Sequence, residues 1–499
     1  MFMKLYNTLT KKIEAIVPIH ERHLGLYACG VTVYDYAHLG HLRKYVMDDV
    51  LVRALRQEGF EVKFVQNVTD VGHLASDADT GEDKLEKGAK KYGQTVWDVA
   101  QKFETYFFYS MDLMGNIRPD LSCRATDHIQ SQLELVLKLE KKGFTYVIPG
   151  DGVYFDISKF PDYGQMAGLD VDNQLSGSRV AVVAGKRQPA DFAVWKFEKP
   201  GENRAMVWPS PWAERSFPGW HIECSAMSME HLGAQFEIHT GGIDHIPVHH
   251  TNEIAQAEAA SGKKPFVKYW VHHNFLQVNG EKMSKSLGNF YTIDDILKRG
   301  FVPQALRLLF LGSHYRSQLN FTWESLQAAQ TAWERLSQQV KMIHQAVTER
   351  RDRLQPAAEA VETLPEYRNF FKAIQTDLDT PQAMNLVWAV LKSAILSPQE
   401  QYRLLLEFDQ VLGLGLAKLE LSPAQLARSG RVDLKALPPQ QSQTLQQLLS
   451  DRVVARRHQD WAKSDALRDQ VNQLGMQLVD QTDGSQELRW LSQTPESQT

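Results

Sequence analysis

Between residues 24 and 67 the hydrophobic period of this chain switches from strand to helix and back to strand. "LGLYAC" is a short apolar run reaching Gly30. After a loop, "HLRKYVMDDVLVRALRQEG" places Leu42, Tyr45, Val46, Val50, Leu51, Ala54 and Leu55 at helical spacing, with Gly59 as the stop. "FEVKFVQNVTD" then reads as a second strand. A strand, helix and strand in this order make a βαβ unit, the opening of a Rossmann-like parallel sheet. With 499 residues, the chain is also too long for one hydrophobic core and must divide into domains.

The division follows from composition along the chain. Residues 73 to 100 are polar and charged, as expected of a solvated loop and a surface helix. From about 118 to 230, "IPGDGVYF", "FEKPGEN", "WPSPW" and "SFPGW" break the pattern with glycine and proline, as in an insertion of short strands and turns. Parallel-sheet character returns with "AQFEIHTGGID", a helix at "NEIAQAEAASG" and a strand at "FVKYWVHHNFLQV". Beyond residue 303 the periodicity is helical, through "TWESLQAAQTAWERLSQQVKMIHQAV" and a second bundle at 366 to 412. The linker "KALPPQQSQ" precedes a last helical segment, "LLSDRVVARRHQDWAKSDALRDQVNQLG", and a C-terminal piece whose final residues are expected to be disordered. The expected architecture is α/β. A Rossmann-like catalytic domain (1–117 and 231–302) is split by a connective insertion (118–230). A helical bundle (303–435) and a small C-terminal domain (436–499) follow.

Hydrophobic content of 43% and charged content of 23% exclude a disordered or fibrous polypeptide, and the net charge of −5 leaves the partner open. With no apolar leader and no run of about 18 apolar residues, the chain reads as soluble and cytoplasmic. The three cysteines, Cys29, Cys123 and Cys224, are too few and too widely spaced for a disulfide scaffold.

Two stretches suit phosphate chemistry. "HLGH", His38 to His41, sits where the first strand's exit loop meets a helix N-terminus, which favours anions, and imidazoles there could stabilise charge on a transferring phosphoryl group. On spacing alone, two histidines three apart are more often surface residues or helix caps. "GEKMSKSLGN", Gly280 to Asn289, holds Lys282 and Lys285 in a loop, two cationic donors suited to a pyrophosphate leaving group.

These two stretches resemble the HIGH and KMSKS motifs of class I aminoacyl-tRNA synthetases. With "LYACGVTVYDYAHLGH", "FVQNVTDV", "PGWHIECSAMSMEHLG", "GGID", "HHTNEIAQAEAASG" and "HYRSQLNF" in order, the chain resembles the cysteinyl-tRNA synthetase family from about residue 24 to 325. The resemblance implies activation of L-cysteine with ATP, Mg2+ assisting, to cysteinyl-adenylate, then transfer to tRNA-Cys. It implies His38, His41, Lys282 and Lys285 as catalytic groups. Gly40, Gly241, Gly242, Asp244 and Lys285 would contact ATP, and Trp220 and Thr32 the substrate cysteine. It also implies one Zn2+ held by Cys29, Cys224, His249 and Glu253. His249 and Glu253 are four apart and so share a helix face, leaving His250 as a neighbour. A borderline-soft zinc ion prefers a thiolate over an alcohol, which would separate cysteine from serine without an editing domain.

The sequence departs from the family at Val31 and Thr240, where the family has proline and glycine. It departs again in "TDVGHLASDADTGEDK" and "PVHHTNE". A small amino-sugar acceptor, as in mycothiol biosynthesis, is the alternative reading. The helical C-terminal third, with Arg452, Arg456, Arg457 and Trp461 as candidate tRNA contacts, favours tRNA. The resemblance further implies a monomer with no membrane association. Cys123 matches no motif and is expected to be a packed or surface thiol.

Overall fold

The structure is a computed structural model. It describes residues 3–72, 83–168, 184–284, 287–350, 360–419, 439–457, 460–474, 476–480 and 486–490. The chain forms two compact units, 1–417 and 418–499. Among the described residues no helix is long and apolar enough to cross a membrane.

The βαβ unit forms as its periodicity dictates: β1 (His23–Thr32), α1 (Leu39–Gln57) and β2 (Glu61–Thr69). After α2 (Val96–Leu113) comes β3 (Leu121–Arg124), which pairs parallel to β2. The parallel sheet thus extends past 118, where the insertion was expected to begin. α3 (Ile129–Lys141) then leads into a four-stranded antiparallel sheet of β4 (Thr145–Ile148), β5 (Gly152–Phe155), β6 (Phe192–Phe197) and β7 (Ser216–Pro218). α4 (Trp220–Leu232), β8 (Phe236–Gly242), α5 (His249–Ser261) and β9 (Val267–His273) complete the α/β core.

The central sheet runs β9-β8-β1-β2-β3, with every pairing parallel. Its order reverses between β1 and β8. In open parallel sheets the crevice beyond the strands' C-terminal ends at such a reversal is where ligands bind.

One expected strand divides in two. "FVKYWVHHNFLQV" ends its pairing at His273 and restarts as β10 (Leu276–Val278) in a different sheet, with β11 (Glu281–Lys282) and β12 (Leu319–Phe321). The buried Arg43 guanidinium sits at the break: it takes the carbonyls of Asn274 and Phe275 (3.1 and 3.0 Å), and Phe275 O also accepts from the Leu319 amide of β12 (3.1 Å), which starts the new pairing.

The helices that follow are α6 (Pro303–Leu311), α7 (Trp323–Arg350), α8 (Pro365–Gln375), α9 (Thr380–Lys392) and α10 (Pro398–Leu412). They belong to the same compact unit as the sheet. Arg307 of α6 is fully buried and ties the layers together. It donates to the Leu412 carbonyl at 2.7 Å, the Met114 carbonyl at 3.0 Å and Asn116 Oδ1 at 2.9 Å, and pairs with Asp49 of α1.

In the second unit the single expected helical segment is two helices, α11 (Pro439–Arg457) and α12 (Trp461–Gln473), followed by the antiparallel pair β13 (Met476–Asp480) and β14 (Gln486–Trp490). Half of the expected proline linker is therefore the first turn of α11, where a proline's missing N–H costs nothing. The residues expected to be disordered at the end, 491–499, lie outside the described residues.

Removing Arg307 takes the donor from the buried Leu412 and Met114 carbonyls and breaks the buried pair with Asp49, a loss of about 3–5 kcal/mol. Arg307→Met should therefore lower the urea midpoint of the 1–417 unit clearly. A midpoint unchanged from wild type would show that the bundle docks without this residue.

Candidate active site and metal centre

At the reversal, β1 carries an irregularity. Ala28 pairs with Gln66 and Val31 with Val68, so Cys29 and Gly30 together oppose Asn67 alone. This is a β-bulge, a device that re-aims side chains. Gly30 is required here, because a Cβ would lie 1.6 Å from the Asn67 carbonyl oxygen, and its amide donates to Asn67 Oδ1 at 2.7 Å. The Cys29 carbonyl accepts from Lys44 Nζ (2.8 Å) and Tyr45 Oη (3.1 Å) of α1. Lys44 also pairs with buried Asp48 at 2.7 Å, and Asp48 accepts from His273 Nε2 at 2.8 Å. Burial opposes ionisation of Asp48, yet Lys44 and His273 hold its pKa at about 2. Sequence reading missed this network, although Lys44 and Asp48 are spaced i, i+4 on α1.

The bulge sends the Cys29 thiol into a buried cluster with Cys224 of α4 and with His249 and Glu253 of α5. All four donor atoms lie within 4.8 Å of one another. Cys29 Sγ is 3.7 Å from Cys224 Sγ and 3.6 Å from His249 Nε2, and His249 Nε2 is 3.1 Å from Glu253 Oε1. Tetrahedral bonds of about 2.3 Å to sulfur and 2.0–2.1 Å to nitrogen would set S···S near 3.8 Å and S···N near 3.6 Å. The four residues fit a tetrahedral ion, and the cluster is a candidate metal site. Glu253 is fully buried, with Oε1 turned to His249 Nε2 and Oε2 to His239.

The surroundings prepare these groups. The hydrogen bond from Cys224 holds Cys29 well below the usual thiol range, with His249 adding to the effect. Cys224, as donor beside a thiolate, is pushed up. Burial opposes the charge on His249, but Cys29 and Glu253 overcome it and raise its pKa. His221 Nδ1 sits 2.9 Å from His249 Nδ1, and His239 Nε2 lies 3.0 Å from Glu253 Oε2. A bond at the far ring nitrogen or the far carboxylate oxygen fixes the orientation of a metal ligand. Neither residue was expected from sequence, though His221 precedes Cys224 by three and so lies on its helix face. His250 bonds His272 Nε2 at 2.8 Å through its Nδ1 and stands 3.9 Å from Glu253 Oε1, a neighbour of the four. The Trp220 ring meets the His249 ring edge-on with centroids 5.3 Å apart, and Thr32 closes β1 in register with Thr69.

The "HLGH" histidines cap α1. His38 Nδ1 accepts from the Gly40 amide at 3.1 Å, His41 Nδ1 accepts from the His38 amide at 3.3 Å, and the rings stack at 3.7 Å. Sequence reading left capping and phosphate chemistry as alternatives, and the structure shows the capping bonds. Each Nδ1 is an acceptor, so each neutral ring carries its proton on Nε2 as a donor. Burial lowers His38 to about 4, partly offset by Asp244, and lowers His41 well below its usual range, so both are neutral at pH 7.

Leu39 N donates to the Tyr291 carbonyl at 3.0 Å, which brings "HLGH" beside the segment following the "KMSKS" loop. Lys282 is exposed at the loop's base. There Asn289 accepts from the Ser284 amide (2.7 Å) and donates to the Lys282 carbonyl (3.2 Å). Lys285 lies outside the described residues. Gly241 and Gly242 end β8 under tight contact: a Cβ on Gly241 would meet the His250 ring at 2.4 Å, and one on Gly242 would meet Asp244 at 2.2 Å. Asp244 itself is exposed.

Two expectations resolve differently. Cys123 is a packed thiol in β3, pushed by burial up to about 12. Arg452, expected to face tRNA, is buried at 1% exposure, whereas Trp461 is 59% exposed.

A parallel sheet that reverses its strand order between a histidine-capped helix and the base of a lysine loop is the arrangement of a class I aminoacyl-tRNA synthetase. Residues 15–331 match the family model described as tRNA synthetases class I (C) catalytic domain. A cysteine--tRNA ligase of Treponema denticola is 41% identical, covering 96% of this chain and 98% of the relative. Cysteine--tRNA ligase 1 of Burkholderia lata is 41% identical over 97% and 96%. Methionyl-tRNA synthetase of Mycobacterium tuberculosis, solved with methionyl-adenylate, shares the fold, with a TM-score of 0.56 at 16% identity over 81% of this chain and 95% of that one. The chain belongs to the cysteine--tRNA ligase family. Similarity running through the C-terminal third does not favour the amino-sugar acceptor.

His38 supplies a pH test. Its folded pKa of about 4 lies below the ordinary 6.5, so its contribution is complete above pH 6.5 and about 3 kcal/mol is lost as pH falls toward 4. His38→Asn, which keeps a capping side chain, should reduce the slope of urea stability between pH 6.5 and 4. An unchanged slope would mean that His38 is not buried in its neutral form.

Proposed function

We propose that this ligase selects its amino acid through zinc held by Cys29, Cys224, His249 and Glu253, and activates it with ATP between the "HLGH" and "KMSKS" segments. The separations among the four donors, matching a tetrahedral ion, carry this reading. A zinc ion held there supplies a soft Lewis acid that accepts a thiolate and disfavours an alcohol. Trp220, packed against His249, and Thr32, at the end of β1, would border the substrate side chain.

In this reading the cysteine carboxylate attacks the α-phosphate of Mg-ATP, and pyrophosphate leaves with its bonding pair. The Nε2–H groups of His38 and His41 are neutral donors aimed at the growing phosphate charge, with the α1 N-terminus and Gly40 beneath. Lys282 and Lys285 neutralise the leaving pyrophosphate. Gly241 and Gly242 let adenine approach the backbone, and exposed Asp244 accepts from a ribose hydroxyl. The terminal ribose hydroxyl of tRNA-Cys then attacks the adenylate carbonyl and releases AMP. The helices of 303–435 would contact the tRNA stem and residues 436–499 the anticodon. We read the chain as a cytoplasmic monomer.

Two substitutions test the assignments. Lys285→Ala should slow cysteine-dependent ATP–pyrophosphate exchange by about 10²–10³, the usual loss for one transition-state donor. Cys224→Ser should release zinc and reduce discrimination against serine to about a hundredfold, the limit for near-isosteres in an ordinary pocket. Wild-type exchange in the first, or full zinc content and discrimination in the second, would refute the corresponding role.

A further inference from the structure

A second ligand cluster lies outside the crevice. His128 closes a 3-10 turn (Thr126–His128) just after β3, at the point where the chain leaves the parallel sheet for the insertion. Glu230 and His231 lie in the last turn of α4, where it returns to β8. The donor atoms of His128, Glu230 and His231 lie within 4.8 Å of one another, and the two Nε2 atoms are 2.8 Å apart across 103 residues of chain. Both rings are half-buried and Glu230 is exposed, so an ion could enter from solvent.

The chemistry is prepared on both sides. His128 Nδ1–H donates to the Arg124 carbonyl at 2.7 Å, which fixes the tautomer and leaves the Nε2 lone pair pointing at His231. His231 is itself held in place, its carbonyl accepting from Lys63 Nζ at 2.6 Å. Two imidazoles and a carboxylate with the remaining positions open to water are a donor set for borderline divalent ions of the zinc type, not for calcium or magnesium. Bonds of 2.0–2.1 Å would hold the nitrogens about 3.0–3.4 Å apart, so a small opening of the present contact admits the ion.

We propose that His128, Glu230 and His231 form a second, solvent-accessible site for a zinc-type divalent ion, which clasps the two junctions where the insertion leaves and rejoins the catalytic sheet. The ion replaces one histidine–histidine hydrogen bond with coordination bonds that join the β3 exit to α4. Because α4 also carries Trp220, His221 and Cys224, occupancy restrains the helix that lines the crevice. None of the three ligands touches the inner cluster or the phosphate groups, so the site can be emptied without dismantling the catalytic centre.

The test is equilibrium dialysis of full-length protein at micromolar zinc with metal counting, comparing wild type with His128→Ala and His231→Gln. The comparison reads a difference of one equivalent, so it holds whether or not the inner cluster binds zinc. Wild type should bind one equivalent more than either variant, the variants should bind that equivalent at least tenfold more weakly, and both should keep cysteine-dependent pyrophosphate exchange. Added zinc should raise the melting temperature of wild type more than that of the variants. Equal metal content in wild type and both variants would overturn the proposal. So would an extra equivalent that persists in the double variant, because it would belong to other surface groups. Magnesium in place of zinc should give no extra equivalent, and an equal response to magnesium would refute the ion class.

Discussion

The bulge at Cys29 and Gly30 is the constraint on which the site depends. A strand in regular register would alternate its side chains, and a shift of one residue sends each to the opposite face. Here two residues of β1 face one residue of β2, and the extra residue sets where the Cys29 thiol points. The distortion persists because its polar groups are satisfied. Gly30 N finds Asn67 Oδ1, and the Cys29 carbonyl finds Lys44 and Tyr45. Lys44 is held in turn by Asp48, and Asp48 by His273, the last residue of β9. A chain of charge-assisted bonds thus connects the bulge to the far edge strand, from which the chain turns into β10 and the lysine loop.

How much of this was legible beforehand depended on range. Period and turn chemistry revealed β1, α1 and β2, because helix and strand spacing are local properties. They joined β9 to β10, because the break lies at a contact with Arg43, more than two hundred residues away in sequence. They also opened the insertion before β3, since a four-residue edge strand carries too little pattern to be seen. In the second unit, charge alone nominated Arg452 for tRNA, yet burial of an arginine within a fold leaves no mark on local sequence.

The candidate site shows the same division. Motifs located the four cluster residues, and the structure brings them together from β1, α4 and α5. His221 and His239 were missed because their role lies in contacts with His249 and Glu253, which a single sequence cannot display. The "HLGH" pair illustrates a different limit. Spacing could not choose between caps and phosphate donors; the structure shows the caps, and these leave room for the phosphate role proposed above. The capping bonds occupy both Nδ1 atoms and burial keeps both rings neutral, so the same geometry that ends the helix leaves two Nε2–H donors beside its N-terminus.

The density of buried polar groups around the cluster is itself an argument about purpose. His239, His249, His250, His272, Glu223 and Glu253 are all buried within or beside the helices and strands at the sheet reversal. Unpartnered buried polar atoms each cost on the order of 1–3 kcal/mol, so an apolar filling would make a more stable fold. Burial pushes Glu223 well above the ordinary carboxylate range and His250 and His272 well below the ordinary imidazole range, so these groups give up their charge inside the fold. Cys29 and His249 behave oppositely: Cys29 is driven toward thiolate, and the His249 pKa is raised by Cys29 and Glu253 beside it. A proton on His249 Nε2 stands where a cation would sit among the other three donors.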